Sequence, residues 1–264
     1  MSFGYRKPVL RDLSVAFRPG RVCLVLGPNG SGKTTLLRLL LGLIDPGRSF
    51  AGAPRGRCTL SGREIRSLPP RVRARHMAYV PHRPHVGYAY TLGQYVSFSQ
   101  STHRSDMLAV RRALEAVELC DLADVPMHEL SAGQMQRASI ARAVAQIRSS
   151  DAEPRFLLAD EPTSALDPRH VTIVLALFGS LAREGVGVVM TMHDLTGAGP
   201  LADDVCVLSD QGTLAAAGTP ADVLVPEVLE GVFRTRFSVL ESQGRRIIIR
   251  QDPAAADASP VTME

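Results

Sequence analysis

The sequence has almost no lysine, scattered cysteines and no long apolar run. Among its 30 Lys and Arg residues, lysine occurs only as Lys7 and Lys33. No apolar run approaches the roughly 18 residues that span a bilayer, and MSFGYRKPVLRDL lacks the apolar core of a secretion signal. We therefore expect a cytoplasmic protein. The four cysteines form no CxxC pair, which favours buried, reduced thiols over a disulfide framework.

The remaining composition is that of a globular protein. Of the 264 residues, 45% are hydrophobic and 21% charged, and the net charge of +4 comes from arginine. An arginine-rich stretch runs from Arg55 to Arg75, and such a cluster could contact nucleic acid or anionic lipid. Because arginine is frequent throughout the chain, we interpret the stretch as a solvated face and expect no nucleic-acid partner.

A glycine-rich loop stands between an apolar strand and a helix. The run Val22–Leu26 is followed by GPNGSGKT, which fits the pattern G-x-x-x-x-G-K-[ST], and then by the helical TLLRLLLGLI. The glycines let successive N–H groups face one anion, and the helix adds its positive end. Lys33 supplies an ammonium group to the β- and γ-phosphates, and Thr34 offers a hydroxyl to Mg²⁺. The residues expected to bind the nucleotide here are Gly27, Pro28, Asn29, Gly30, Ser31, Gly32, Lys33, Thr34 and Thr35.

A second apolar strand ends in two acids. In FLLADEP, Asp160 is placed to hold Mg²⁺, and Glu161 is placed to orient or deprotonate the attacking water. Together with the glycine loop, this segment predicts a P-loop nucleotide hydrolase.

The segment LSAGQMQR precedes a long helical pattern. Ser131 is a good helix N-cap, and Gly133 keeps the first turn open, so a second helix terminus could receive phosphate. The order GPNGSGKT, LSAGQ, FLLADEP, SALD and TMHD resembles that of ATP-binding-cassette (ABC) ATPases, whose usual signature is LSGGQ. Ala132 replaces a glycine of that signature, at little expected cost.

The resemblance implies a composite site. Ser131, Gly133 and Gln134 of one subunit would meet the γ-phosphate held by the partner's P-loop, in a head-to-tail homodimer that sandwiches ATP. Asp167 resembles the acid that links the two sites, and His193 the histidine that contacts the γ-phosphate. Tyr5, or Phe3 in its place, would stack on adenine.

The segment YVPHRPH contains an unusual residue for this family. A strand like MAYVP leads into a loop whose first polar residue is usually glutamine, and His82 occupies that position. We expect neutral His82 to accept a hydrogen bond from a metal-bound water. A metal pair of His82 with His85, or a merely solvated histidine, are the alternatives. Gln94 in TLGQYV belongs to the start of a helical segment.

The expected fold is α/β: a P-loop NTPase ABC cassette in one domain over residues 1–250. A RecA-like core holds residues 20–45 and 155–195, an antiparallel β subdomain holds 3–18 and 56–65, and a helical subdomain holds about 85–150. Two strands should meet at the turn 210–212, a hairpin should span 238–250, and the tail 251–264 should be disordered.

A single cassette without a fused membrane helix resembles the ATPase subunit of a bacterial importer. The ending GTPADVLVPEVLEGVFRTRFSVLESQGRRIII resembles subunits that serve iron-siderophore, haem and cobalamin import, and some that import molybdate. This resemblance implies permease subunits, a periplasmic binding protein, and a peripheral position on the cytoplasmic face of the membrane. The alternatives are an exporter ATPase and a non-transport ATPase that acts on nucleic acid or ribosomes.

Overall fold

The structure is a computed structural model that describes residues 2–5, 8–45, 56–84, 90–100, 107–192, 199–242 and 245–251. Its strands are β1 (Phe3–Gly4), β2 (Pro8–Leu10), β3 (Val22–Leu26), β4 (Thr59–Leu60), β5 (Arg63–Glu64), β6 (Met77–Val80), β7 (Phe156–Asp160), β8 (Gly187–Thr191), β9 (Asp204–Leu208), β10 (Leu214–Gly218), β11 (Phe237–Ser242) and β12 (Arg245–Arg250). Its α-helices are α1 (Lys33–Leu40), α2 (Pro70–His76), α3 (Leu92–Ser97), α4 (Met107–Glu115), α5 (Ala132–Arg148), α6 (Pro168–Arg183), α7 (Pro220–Val223) and α8 (Pro226–Phe233).

A six-stranded sheet in the order β10-β9-β3-β8-β7-β6 forms the centre of the fold. Its strands run parallel except for β10, which pairs with β9 in the antiparallel direction. The carboxyl ends of β3, β8 and β7 therefore lie side by side at one edge of the sheet. In open α/β sheets, this is the edge where ligands bind.

Side chains on the two faces of the sheet pack in two separate hydrophobic cores. Leu24 of β3 and Met190 of β8 belong to the larger core, together with buried residues of α5 and α6. Val25 and Val189, on the opposite face of the same strands, belong to a smaller core with α1. Because both faces are covered, the strands are apolar runs rather than alternating ones.

The described residues between β6 and β7 include the helices α3, α4 and α5 and short 3₁₀ turns, as the sequence predicts. Thr91 caps α3 in a capping box with Gln94, which confirms that Gln94 has a local structural role. A contact joins this segment to α6, because Arg169 donates two hydrogen bonds of 2.6 Å to the carboxylate of Glu118.

The antiparallel β layer is smaller than the sequence suggests. β1 pairs with β2, and β4 pairs with β5, as two separate two-stranded sheets. Residues 3–18 are expected to belong to this layer, but the strands in that stretch end at Leu10, and residues 13–18 carry no regular secondary structure. Leu13 nevertheless packs in the smaller core, so burial rather than strand pairing explains its apolar character.

The carboxyl-terminal elements confirm two predictions. β9 and β10 meet at a turn that contains Asp210 and Gly212, and β11 pairs with β12 as a hairpin. Across the described residues, no helix is both long and apolar enough to cross a membrane. His85, His193 and the tail from residue 252, all subjects of predictions above, lie outside the described residues.

Candidate functional site

At two positions of the loop after β3, the backbone accommodates only glycine. A β-carbon at Gly27 would lie 2.6 Å from the carbonyl oxygen of Leu208, and one at Gly32 would lie 2.6 Å from Cδ2 of Leu10. Gly32 also has a φ of 96° and forms the N-cap of α1 without a side-chain cap. The first N–H groups of α1 are therefore available to an anion in the loop.

Lys33 is buried inside this loop. Its Nζ atom donates to the carbonyl oxygens of Gly27 at 2.7 Å and Pro28 at 3.1 Å. Burial lowers the pKa of the Lys33 ammonium, whereas the nearby carboxylates of Glu161 and Asp160 act in the opposite direction. An ammonium held by neutral carbonyls keeps its charge available for phosphate oxygens.

Ser31 provides a test of whether the loop suits a phosphate. Its side chain is fully buried, and its Oγ atom has no hydrogen-bond partner within the described part of the chain. A buried hydroxyl without a partner is costly unless a ligand satisfies it. The remaining loop positions predicted from the motif, Pro28, Asn29, Gly30 and Thr35, surround the same cradle. The residues present therefore fit a nucleotide phosphate.

A chain of hydrogen bonds joins the start of α1 to the ends of β7 and β8. Thr34 Oγ1 donates to Asp160 Oδ2 at 2.7 Å, and Thr191 Oγ1 donates to Asp160 Oδ1 at 2.7 Å. Thr191 Oγ1 also accepts the backbone N–H of Glu161 at 2.9 Å. A hydroxyl and a buried carboxylate side by side form an oxygen-only set of ligands, which suits Mg²⁺.

Glu161 lies at the end of β7 in a left-handed conformation with a φ of 48°. Such a backbone is strained for a residue with a side chain, and strain of this kind concentrates at functional sites. The Glu161 Oε2 atom is 3.5 Å from Nδ1 of His82. His82 therefore lies next to the candidate catalytic carboxylate.

No cluster of three or more His, Cys, Asp or Glu residues suited to a metal exists in the described ranges.

The LSAGQ segment starts α5 in the way the sequence indicates. Ser131 Oγ accepts the N–H of Gln134 at 3.2 Å, and Gln134 Oε1 accepts the N–H of Ser131 at 2.8 Å, which confirms Ser131 as the N-cap. A β-carbon at Gly133 would lie 2.9 Å from the carbonyl oxygen of Ala165. Close packing against the SALD segment therefore requires glycine at this position.

Both carboxylate oxygens of Asp167 have partners within their own chain. It caps α6 by accepting the N–H of His170 at 2.9 Å, and its other oxygen is 2.6 Å from His170 Nδ1. The hydrogen bonds from His170, led by the one from its backbone, lower the pKa of Asp167. A role across a dimer would require Asp167 to serve both α6 and the partner.

The two aromatic candidates near the amino terminus differ in exposure. Phe3 is 5% exposed and belongs to the smaller core, whereas Tyr5 is 57% exposed and meets Phe3 edge to face at 5.1 Å. Only an exposed ring can stack on a base, so Tyr5 is the better candidate for adenine.

The structure adds two residues that the sequence analysis missed. Thr191 ends β8 between the glycine loop and Asp160, and Gln136 donates from α5 to the carbonyl of Pro81 at 3.4 Å. Thr191 could have been found from the sequence, because it is a polar residue at the end of the apolar strand β8. Gln136 offered the weaker signal of a polar side chain on the buried face of a helix.

Comparison with protein families gives one match, to the ABC transporter family over residues 10–164. The chain is 36% identical over 239 residues to the hemin import ATP-binding protein HmuV of Rhizobium meliloti, with 88% of each chain covered. It is 38% identical over 242 residues to the protein of the same name from Rhodococcus jostii, with 89% of this chain and 78% of the other covered.

Solved structures share the fold. A chain of an inward-facing, metal-chelate type ABC transporter matches with a TM-score of 0.69 and 27% identity, over 90% of this chain and 88% of the other. A bacterial Atm1-family ABC exporter with ATP bound matches with a TM-score of 0.72 and 26% identity. That match covers 84% of this chain but only 38% of the exporter.

Proposed function

The chain belongs to the ABC transporter family, and from this premise we propose that it is the ATP-hydrolysing subunit of a bacterial importer for haem or a related iron chelate. The observation that carries the proposal is the chain of hydrogen bonds from Thr34 through Asp160 and Thr191 to Glu161. It joins the phosphate cradle to a base beside it, which is the arrangement that hydrolysis needs.

Each residue has a distinct task in the reaction. The loop N–H groups and Lys33 bind and orient the β- and γ-phosphates. Thr34 and Asp160 would hold Mg²⁺, which neutralises charge that develops on the phosphates. Glu161 accepts a proton from the attacking water, while Thr191 fixes the backbone that carries Glu161. His193 would contact the γ-phosphate, and Tyr5 would stack on adenine.

The proposal includes a head-to-tail homodimer. Ser131, Gly133 and Gln134 stand at a second helix N-terminus, separate from the one that follows the glycine loop, and it can receive an anion. In the dimer they would complete the partner's site, and Asp167 would lie near the junction. ATP would then be held between two chains.

Permease subunits are the partners that the family implies, and the helical segment has a surface for them. Tyr90 and Phe98 are exposed and pack edge to face at 4.8 Å, and Met107 and Leu108 are also exposed. Exposed apolar groups of this size favour a protein partner. The chain would thus be a peripheral subunit at the cytoplasmic face, in a complex that includes a periplasmic binding protein.

The proposed cargo is inferred from the names of the relatives and not from the geometry of the site. Both hemin import proteins match over more than three quarters of their length, which favours haem over cobalamin or molybdate. The exporter match is confined to 38% of that chain and carries the cassette fold without the transport direction. The nucleic-acid alternative is weakened because Arg66 pairs with Asp45, Arg73 donates to Gly42, and Arg75 pairs with Asp151.

A membrane purification tests the function. The tagged chain should retain a multi-helix permease from detergent-solubilised membranes, and cells that carry it should accumulate haem. Lys33→Ala is the matched variant: it should retain the permease and abolish accumulation. Recovery of ribosomes or DNA instead of a permease would contradict the proposal, and export of haem from loaded cells would reverse its direction.

A further inference from the structure

A buried amide connects helix α5 to the loop that carries His82. Gln136 is 1% exposed, and its Nε2 atom donates to the carbonyl oxygen of Pro81 at 3.4 Å. Pro81 follows the last residue of β6 and has no N–H to continue the strand pairing. The Gln136 amide therefore reaches the backbone at the point where the chain leaves the sheet and turns toward His82.

The other end of this connection is the candidate base. His82 follows Pro81 directly, and its Nδ1 atom is 3.5 Å from Glu161 Oε2. The Glu161 side chain is 12% exposed and the His82 side chain 39% exposed, so a largely buried carboxylate lies next to a more exposed imidazole. The Pro81 carbonyl belongs to the peptide bond that precedes His82, so its position helps to set where the His82 side chain starts.

Gln136 itself is poorly satisfied. Its Oε1 atom is buried and has no hydrogen-bond partner among the residues that the structure describes. A buried polar group of this kind is a liability for stability. The amide makes one long hydrogen bond and leaves one buried oxygen unpaired, so an apolar side chain of similar shape should cost little stability. Stability alone therefore gives little reason for the amide.

We propose that Gln136 is a positioning residue that couples the amino-terminal end of α5 to the catalytic carboxylate, through Pro81 and His82. The proposal rests on the function proposed above, in which Ser131 at the start of α5 meets the partner's ATP. The capping box of Ser131 and Gln134 fixes the first turn of α5, and Gln136 lies in the next turn. A shift of α5 when the partner's ATP is engaged would reach Glu161 of the same chain by this route.

The test compares two glutamines of the same helix. Gln146 Nε2 donates to the carbonyl oxygens of Ala74 at 2.8 Å and Met77 at 3.0 Å. These carbonyls lie where α2 ends and β6 begins, at the end of β6 that is away from His82. Gln136→Met should change the melting temperature little, because it removes one long hydrogen bond together with an unpaired buried oxygen. It should lower kcat by about 10- to 100-fold, because a small displacement of a catalytic group has an effect of that size. Gln146→Met should lower the melting temperature and leave kcat within about twofold.

A double-mutant cycle gives the second readout. Purified full-length chain, His82→Ala, Gln136→Met and the double variant are assayed for ATP affinity, KM and kcat. If Gln136 acts through His82, Gln136→Met should change kcat in the parent and have no further effect in the His82→Ala background. ATP affinity and KM should be the same in Gln136→Met as in the parent, because Gln136 is proposed to act through His82 and not on the nucleotide.

Several results would overturn the coupling. They are an unchanged kcat in Gln136→Met, effects of Gln136→Met and His82→Ala on kcat that multiply independently, and an equal loss of kcat in Gln146→Met. A parent protein that binds ATP and does not hydrolyse it would contradict the proposed function instead. The two failures are thus distinguished by the activity of the parent chain.

Discussion

Thr191 Oγ1 lies 2.7 Å from Asp160 Oδ1 and donates a hydrogen bond to it. Thr191 is fully buried at the end of β8, opposite Asp160 in the register of β7 and β8. Because the same oxygen accepts the N–H of Glu161, one hydroxyl fixes both acids that follow β7. The candidate metal ligand and the candidate base are therefore held by a residue that need not contact ATP.

Thr191→Val tests this support with almost no change in volume. Valine removes the donor to Asp160 and the acceptor for the N–H of Glu161. The free energy of unfolding should fall by about 1–3 kcal/mol, the usual effect of leaving a buried polar group unpaired. We expect kcat for ATP hydrolysis to fall as well. Thr191→Ser keeps the hydroxyl and should retain most of the activity; equal kcat values for Thr191→Val and the parent would contradict the role.

Glu161→Gln should separate nucleotide binding from turnover. The amide keeps the shape of the side chain but cannot accept a proton from water, and loss of a general base lowers rates by about 10²- to 10⁴-fold. ATP affinity should remain near that of the parent, and the variant should accumulate as an ATP-bound dimer. Steady-state ATPase assays and size-exclusion chromatography with ATP measure both effects. Hydrolysis at the parent rate would show that Glu161 is not the base.

The parts of the site that lie along one continuous segment were predictable from the sequence. The glycine loop with Lys33 and the N-cap Ser131 depend on local geometry, and the structure shows that geometry. The apolar runs of β3 and β7 likewise identified buried parallel strands, because both of their faces are covered.

Contacts between segments that are distant in sequence were not predictable. Thr191 meets Asp160 across 31 residues, and Gln136 meets Pro81 across 55 residues, because sheet order brings these segments together. The choice between Phe3 and Tyr5 also needed the fold, because the sequence does not show which of the two rings is buried in the core. His82 was identified by position, whereas its closeness to Glu161 depends on β6 lying beside β7.

Complementation tests the composite site. Lys33→Ala and Ser131→Arg should each impair hydrolysis, the first because the phosphates lose their cation and the second because a large side chain fills the helix end. In a mixed heterodimer, one site carries both defects and the other carries none, so mixing the two variants should restore part of the activity. The activity of mixtures is compared with that of each variant at the same total concentration.

Two outcomes would contradict the head-to-tail dimer. One is the absence of any recovery in mixtures that are shown to contain heterodimers. The other is a Ser131→Arg variant with parent activity in the presence of the permease.

The contact between His82 and Glu161 predicts a dependence on pH. An imidazole exchanges its proton between about pH 5 and 8. Neutral His82 can accept a hydrogen bond from a metal-bound water or donate one to Glu161, whereas protonated His82 has no acceptor and places a positive charge 3.5 Å from the base. The charged ring would compete with the attacking water for the Glu161 carboxylate. Permease-stimulated ATPase activity should therefore fall as the pH is lowered from about 8 to 5.5.

His82→Gln isolates this effect from other titrating groups. Glutamine keeps a hydrogen-bonding side chain at the same position but has no proton to gain in this range. All other groups are the same in the two proteins, so the difference between the two normalised profiles reports on residue 82. We expect the variant to lose less activity on acidification than the parent does. Superimposable profiles would mean that the charge of His82 does not reach Glu161, and His82 would then be a solvated histidine at the edge of the site.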